Sequence, residues 1–166
     1  VNGINFENNS GTNLLTNSGT IQSNTSGNYG GGIVINEASV SEIVNTSTGT
    51  IRVIDSSVNS APIRVNTGGV VNKIENDGTI SATGSKHSRG IISINTGIIN
   101  QLINTGTISA QGGSNSNHGI AIWNNSGTNL TNSGSISGTG GSTSYGIRVG
   151  NDGNISSITN SGTISW

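Results

Sequence analysis

The chain has 166 residues, six Lys and Arg against seven Asp and Glu, a net charge of −1 and only 8% charged residues, where an average domain carries roughly 25%. That balance leaves no electrostatic footprint for nucleic acid or an anionic membrane, no apolar run approaches the roughly 18 residues of a spanning helix, and no signal peptide is visible. With 27 Gly, 3% aromatics, no Cys and no Met, the composition by itself would also suit disorder, so the spacing of the aliphatic residues has to decide.

The first predicted strand is GINF, from Gly3. Leu15 follows, two residues before Asn17, and then Gly19-Thr20-Ile21. The same three segments recur to the end of the chain. The first returns as GIVI at Gly32, PIRV at Pro62, GIISI at Gly90, GIAI at Gly119 and GIRV at Gly146. The second returns as Ile43, Ile74, Leu102, Leu130 and Ile158, each two residues before an Asn, and many units add Val40, Val71, Ile99 or Ile155 three residues earlier. The third, N-x-G-T-I or a close variant, carries Gly19, Gly49, Gly78, Gly106, Gly134 and Gly162, spaced by 30, 29, 28, 28 and 28 residues.

A fixed period of this length signals a repeat architecture. Each segment is short, rich in Ile, Val and Thr, and bounded by Gly, Asn and Ser, which predicts strands; nothing holds a 3.6-residue period long enough for a helix. Three short strands per unit make one coil of a parallel β-helix. The expected fold is therefore all-β, a solenoid of about six coils of about 28 residues, forming one segment over 1–166. A β-roll with two smaller coils per unit is the alternative, but it leaves the middle segment without a partner.

Stacking would align Ile21, Ile51, Ile80, Ile108, Ile136 and Ile164 in one internal column. Each buried aliphatic contributes roughly 1.5–3 kcal/mol, enough in number to offset the entropy of ordering so many Gly and Asn. Six coils at about 4.8 Å would rise roughly 29 Å. Asn17, Asn45, Asn76, Asn104, Asn132 and Asn160 form a second column at a corner. Asn accepts the left-handed conformation of a tight corner, and stacked amides can hydrogen-bond from coil to coil. The six glycines two residues on from these Asn (four on from Asn45) sit where a side chain would crowd the bend. This Asn/Gly ladder is expected to be structural.

The segments 23–31, 56–61, 83–89, 111–118 and 138–145 vary in length and precede each G-I-x-I strand. Variable loops of solenoids gather on one face, often the binding face. Arg89, His118 and Tyr145 stand immediately before that strand in three consecutive units, with Tyr29 nearby in an earlier one. Planar side chains in line can stack on sugar rings, so these four are the candidate ligand contacts; corner filling at a loop base is the plain alternative.

Other chemistry is sparse. Glu75 and Asp77 flank Asn76 and share one outer side, as a carboxylate pair, a weak cation site or two solvated acids. Arg52 and Arg64 are expected near Asp55. His87 and His118 occupy matching loops, but a metal needs further ligands. No catalytic set, metal site or cofactor site is expected, and hydrolysis would need a clustered acid/base groove. The hydroxyl rows Thr79-Ile80-Ser81, Thr107-Ile108-Ser109, Ser135-Ile136-Ser137 and Thr163-Ile164-Ser165 suit an ice-binding array or simply a β-face covered by β-favouring residues; Gln22 and Arg52 interrupt them. Asp152-Gly153-Asn154-Ile155-Ser156 fits the acidic-x-Asn-x-Ser pattern of bacterial N-glycosylation and also an Asp-Gly turn.

Tandem GIxI…NsGTIs units, rich in Gly, Asn, Ser and Thr and free of Cys, resemble the passenger domains of Gram-negative autotransporters, closest in flavour to large surface proteins of the Campylobacter and Helicobacter kind. The resemblance covers the whole chain. It implies a right-handed β-helix, export through a C-terminal β-barrel translocator in a longer parent chain, and exposure at the cell surface as an adhesin or stalk. Implied partners are a host cell-surface glycan or protein, and a second copy through bare coil ends. The protease motif GDSGS and the SVAIG-like repeat of trimeric adhesins are absent from the sequence. Repeat motifs specify architecture strongly and function weakly, so a carbohydrate-active β-helix enzyme and an ice-binding solenoid remain the alternatives.

Overall fold

Short β-branched segments cannot bury their apolar side within one 28-residue unit, so the units stack. The computed structural model describes the chain apart from residues 1, 10, 12, 25–28, 55–57 and 124–126, and the described residues form strands and turns without a helix. The first sheet contains β1 (Asn2–Glu7), β4 (Tyr29–Asn36), β7 (Asn59–Val65), β10 (His87–Ser93), β13 (Ser116–Trp123) and β16 (Thr143–Gly150). The second contains β2 (Leu14–Asn17), β5 (Ser39–Asn45), β8 (Val70–Asn76), β11 (Ile98–Asn104), β14 (Thr128–Asn132) and β17 (Ile155–Asn160). The third contains β3 (Thr20–Ser23), β6 (Thr50–Ile54), β9 (Thr79–Thr83), β12 (Thr107–Gln111), β15 (Ser135–Thr139) and β18 (Thr163–Ser165).

Pairing is parallel throughout and advances by one unit at each step. The three-strand coil is therefore the observed unit. Six rungs are separated by five full turns, so the stack rises about 24 Å at the usual strand spacing, less than a count of six whole coils implies.

The columns read from the sequence are in register. Ile21, Ile51, Ile80, Ile108, Ile136 and Ile164 pair one above another, as do Leu15, Ile43, Ile74, Leu102, Leu130 and Ile158. The inner rungs are sealed, with Ile51, Ile80 and Ile108 all at 0% exposure. Burial fades at the terminal rungs, where Ile158 is 50% exposed. Ser93 and Thr128 stand in register with core aliphatic residues and bond to backbone carbonyls. Ser93 donates to the Gly97 carbonyl at 2.6 Å and Thr128, beside a register shift, to the Ile99 carbonyl at 2.8 Å.

The Asn column lies at the turn between the second and third sheets. Each Nδ2 donates to the Oδ1 of the next rung: Asn17 to Asn45 and Asn45 to Asn76 at 2.8 Å, then Asn76 to Asn104, Asn104 to Asn132 and Asn132 to Asn160 at 2.7 Å. Backbone N–H groups at the same corner point the other way, as from Thr105 to the Asn76 carbonyl and from Ser133 to the Asn104 carbonyl. Two lines of oppositely directed dipoles thus run side by side.

One part of the expectation for this corner is corrected. The ladder Asn residues do not adopt left-handed backbone; among the described residues the non-Gly ones that do are Asn8, Glu37, Asn95, Thr96, Asn151 and Asp152, at the turn between the first and second sheets. The ladder selects Asn for its amide. The glycines of the ladder avoid crowding in every rung but the first, where Gly19 has open space: a Cβ on Gly106 would lie 2.1 Å from the Gly78 carbonyl oxygen, and likewise for Gly134 against Gly106 and Gly162 against Gly134.

Candidate functional site

The variable segments lead directly into the first sheet, and its strands are longer than the G-I-x-I motif. β10 begins at His87 and β13 at Ser116, so residues expected in loops become strand. Arg89 pairs with His118, and His118 with Tyr145. The three candidates therefore form one outward-facing row. Tyr29 does not join it: its backbone pairs with Asn59, which pairs with His87, two positions away along the strand. The side chain of Tyr29 lies outside the described residues.

The outward side of this sheet is largely covered. A second row holds Val34, Arg64, Ile92, Ala121 and Arg148 in register. Ala61, Ile92 and Ala121 form a small second apolar cluster, with Ile94 and Trp123 packed against it. Arg89 is 6% exposed, Arg64 5% and His118 0%, whereas Tyr145 is 45% exposed. The sequence row predicted Arg89, His118 and Tyr145; it missed Arg64, Arg148 and Trp123. The signal was present in the run GIAIW, which is apolar at every position after its Gly, as in strands buried on both faces.

The side chains interlock by stacking. The Arg89 guanidinium lies 4.7 Å and that of Arg148 5.6 Å from the Trp123 ring centre, within cation–π range. The His118 and Tyr145 rings are 5.5 Å apart and tilted by 34°. Arg148 Nη1 donates to His118 Nε2 at 3.2 Å, which places the imidazole proton on Nδ1, where no hydrogen-bond partner is found. Arg89 Nη1 donates to Asn59 Oδ1 at 3.0 Å, and Arg64 Nη2 to the Asn59 carbonyl at 3.2 Å. A cavity of about 240 Å³ opens here, lined by Asn59, Arg64, Arg89, Ile92, Ile94, Asn95, Trp123 and Asn151. A neighbouring depression of about 360 Å³ shares Arg64, Ile94 and Asn95 with it and adds Asn36, Asn66 and Thr67.

Electrostatics follow from the packing. Burial, then Arg89 and Arg148, push His118 down to about 4, and the Asn117 backbone opposes this only in part. His87, whose Nδ1 lies 2.6 Å from Ser116 Oγ, is also lowered, by burial, Arg89 and Lys86. A folded-state pKa below the unfolded value means that the unfolded chain binds the proton first. Stability is therefore full above about pH 6.5 and falls as the pH drops toward 4, by about 2–3 kcal/mol from His118. Urea midpoints between pH 7.5 and 5, where most carboxylates stay ionised, should show this slope, and His118→Gln should flatten it. A His118→Gln slope equal to that of the parent would contradict the assignment.

The remaining candidates are dispersed. Lys73 bridges Glu42 at 2.8 Å and Glu75 at 2.5 Å. Asp77 accepts from Thr105 Oγ1 at 2.6 Å, so Glu75 and Asp77 are engaged separately and do not form a pair. Arg52 donates to Gln22; Asp55 lies outside the described residues. Among the described residues no group of three or more His, Cys, Asp or Glu could hold a metal ion. The Thr and Ser rows of the third sheet are in register from Thr79 to Thr163, and Arg52 and Gln22 pair at the Ser81 position of the earlier rungs. Asn154 is exposed, just after the left-handed Asn151 and Asp152.

No protein-family model matches the chain, and neither a curated protein nor a solved structure does.

Proposed function

We propose that the chain is a stretch of a surface-exposed autotransporter passenger, a stiff rod that presents one sheet face as an adhesive surface. One observation carries the reading beyond a plain spacer. The outward side of the first sheet gathers Arg89, His118, Trp123, Tyr145 and Arg148 in neighbouring rungs beside a cavity, whereas the third sheet turns out columns of Thr and Ser. Aromatic and Arg side chains are the usual anchors of recognition. Glu42, Glu75 and Asp77 are tied to Lys73 and Thr105, and among the described residues no carboxylate lines this cavity, Asp152 being the neighbour in sequence of its lining Asn151, which favours binding over hydrolysis.

The mechanism is mechanical and presentational. Continuous rung-to-rung hydrogen bonds stiffen the rod, folding outside the cell needs no ATP, and the face is held out along it. The partners on this reading are a host surface glycan or protein and a β-barrel translocator in the parent chain.

Two readouts test it together. Beads coated with the 166-residue chain should attach to host cells or glycan surfaces, and Tyr145→Ala with Trp123→Ala should reduce attachment severalfold. The parent gene should continue into some 250–300 residues of alternating amphipathic strands. Attachment unaffected by the double substitution removes the adhesive face; a downstream catalytic domain instead of a barrel removes the autotransporter reading.

A further inference from the structure

We propose that the cavity beside Arg89 and Trp123 is a binding site for an acidic sugar, a pyranose ring bearing a carboxylate. The inference rests on the adhesive reading above and adds the chemical class of the ligand.

The first ground is charge. Arg89 is 6% exposed, yet among the described residues its hydrogen bond goes to the neutral amide of Asn59 and its Nε has no partner. Arg148 meets a neutral imidazole and an indole ring. The ion pairs of Lys73 with Glu42 and Glu75 lie on the second sheet, away from this cavity. Buried charges are ordinarily paired. Here burial and the nearby Arg64 and Arg148 hold the Arg89 pKa down at about 10, with no described carboxylate acting against them. A carboxylate from outside would supply the missing counter-charge, and the planar fork of an Arg suits that group better than a point cation does.

The second ground is the rest of the lining. Asn59, Asn95 and Asn151 bring amides that can both donate to and accept from sugar hydroxyls, while Ile92, Ile94 and Trp123 give an apolar surface for the C–H face of a ring. At about 240 Å³ the cavity is below the roughly 300–1,000 Å³ typical of drug-sized ligands, which fits one ring better than an oligosaccharide. The adjoining depression with Asn66, whose Oδ1 is buried without a partner, offers room and an acceptor for the next residue of a glycan.

The chain has two Trp, Trp123 and Trp166, so Trp166→Phe leaves Trp123 as the sole emission reporter at the site. That variant is titrated with glucuronate, glucose and acetate at low salt. Glucuronate should shift the emission saturably, at least about tenfold more tightly than either glucose or acetate, and more weakly at high salt. Adding Arg89→Met should abolish the shift while leaving the thermal midpoint unchanged or raised, because it removes an unpaired buried charge. A lowered midpoint would give Arg89 a structural role instead. Glucose binding as well as glucuronate, acetate binding as well as glucuronate, or no response to any of the three each overturns the proposal. Bead attachment, measured separately, shows whether the adhesive reading survives such a failure.

Discussion

Gly106→Ala is expected to destabilise the rod severely, while Gly19→Ala leaves it almost untouched. The two glycines hold the same place in their rungs. The difference is the rung beneath. A Cβ on Gly106 would sit 2.1 Å from the Gly78 carbonyl oxygen and 2.6–2.7 Å from the Asp77 carbonyl group, all backbone, whereas a Cβ on Gly19, in the first rung, meets nothing within 4 Å. Neither glycine has a positive φ, so the effect is steric and not conformational. Overpacking generally costs about 1–3 kcal/mol. Here no side chain can rotate aside and the rung spacing is fixed by hydrogen bonds, so about 3 kcal/mol or more is expected, near 10 °C in thermal midpoint for a chain of this size. Gly19→Ala should stay within about 0.5 kcal/mol. Thermal melts of the two variants decide the matter, and equal midpoints would show that neighbouring rungs can spread.

The second large effect concerns the amide ladder. Asn104 is 0% exposed. Its Nδ2 donates to Asn132 Oδ1 at 2.7 Å and to the Gly106 and Ser135 carbonyls at 3.2 Å, while its Oδ1 accepts from Asn76. Asn104→Ala takes the donor from Asn132 Oδ1 and a second bond from the half-buried Gly106 and Ser135 carbonyls, of which the Gly106 carbonyl keeps the Ser135 N–H, and Asn76 keeps only its bonds to the Gly78 and Thr107 carbonyls. With about 1–3 kcal/mol for an unsatisfied buried group, partly shared among the three, the loss should reach about 2–4 kcal/mol. Asn104→Asp should cost more at neutral pH, despite its nearly identical shape. It turns the donor into a second carboxylate oxygen facing three acceptor oxygens. Protonation would relieve part of this, so the gap between Asn104→Asp and the parent should narrow as the pH falls toward 4, whereas the gap for Asn104→Ala should not. Denaturant midpoints for both variants at pH 7 and pH 4.5 separate the two, and parallel curves would mean that the ladder is not held by its hydrogen bonds.

Much of this architecture was legible because each structural role is written six times. Ile80 or Leu102 alone says little, but an aliphatic returning every 28 residues specifies its sheet, its inward direction and its partner. The Asn/Gly ladder was legible for the same reason, although its backbone conformation was not, since Asn serves left-handed turns and stacked amides alike. The candidate site was only half legible. Arg89, His118 and Tyr145 share an offset from the following Gly, so their row could be read. Arg64, Arg148 and Trp123 occupy positions that hold Val34, Ile92, Ala121 and Gly150 in other rungs, and a residue type that appears once has no period. Tyr29 is displaced because its unit has two more Gly between the aromatic and the motif, which moves it two positions along the strand.

The ladder also gives the rod a direction. Every amide Nδ2 along it donates towards the higher-numbered rung, as from Asn76 to Asn104 and from Asn104 to Asn132, while backbone N–H groups beside it donate towards the lower-numbered one, as from Thr105 to the Asn76 carbonyl. The two edges of any coil are therefore unlike. Edges stacked in the same direction bring donors to acceptors in both lines at once, whereas edges stacked in opposite directions set like against like. Association of such edges has the sense of a filament with one direction of growth, not of a closed two-fold dimer.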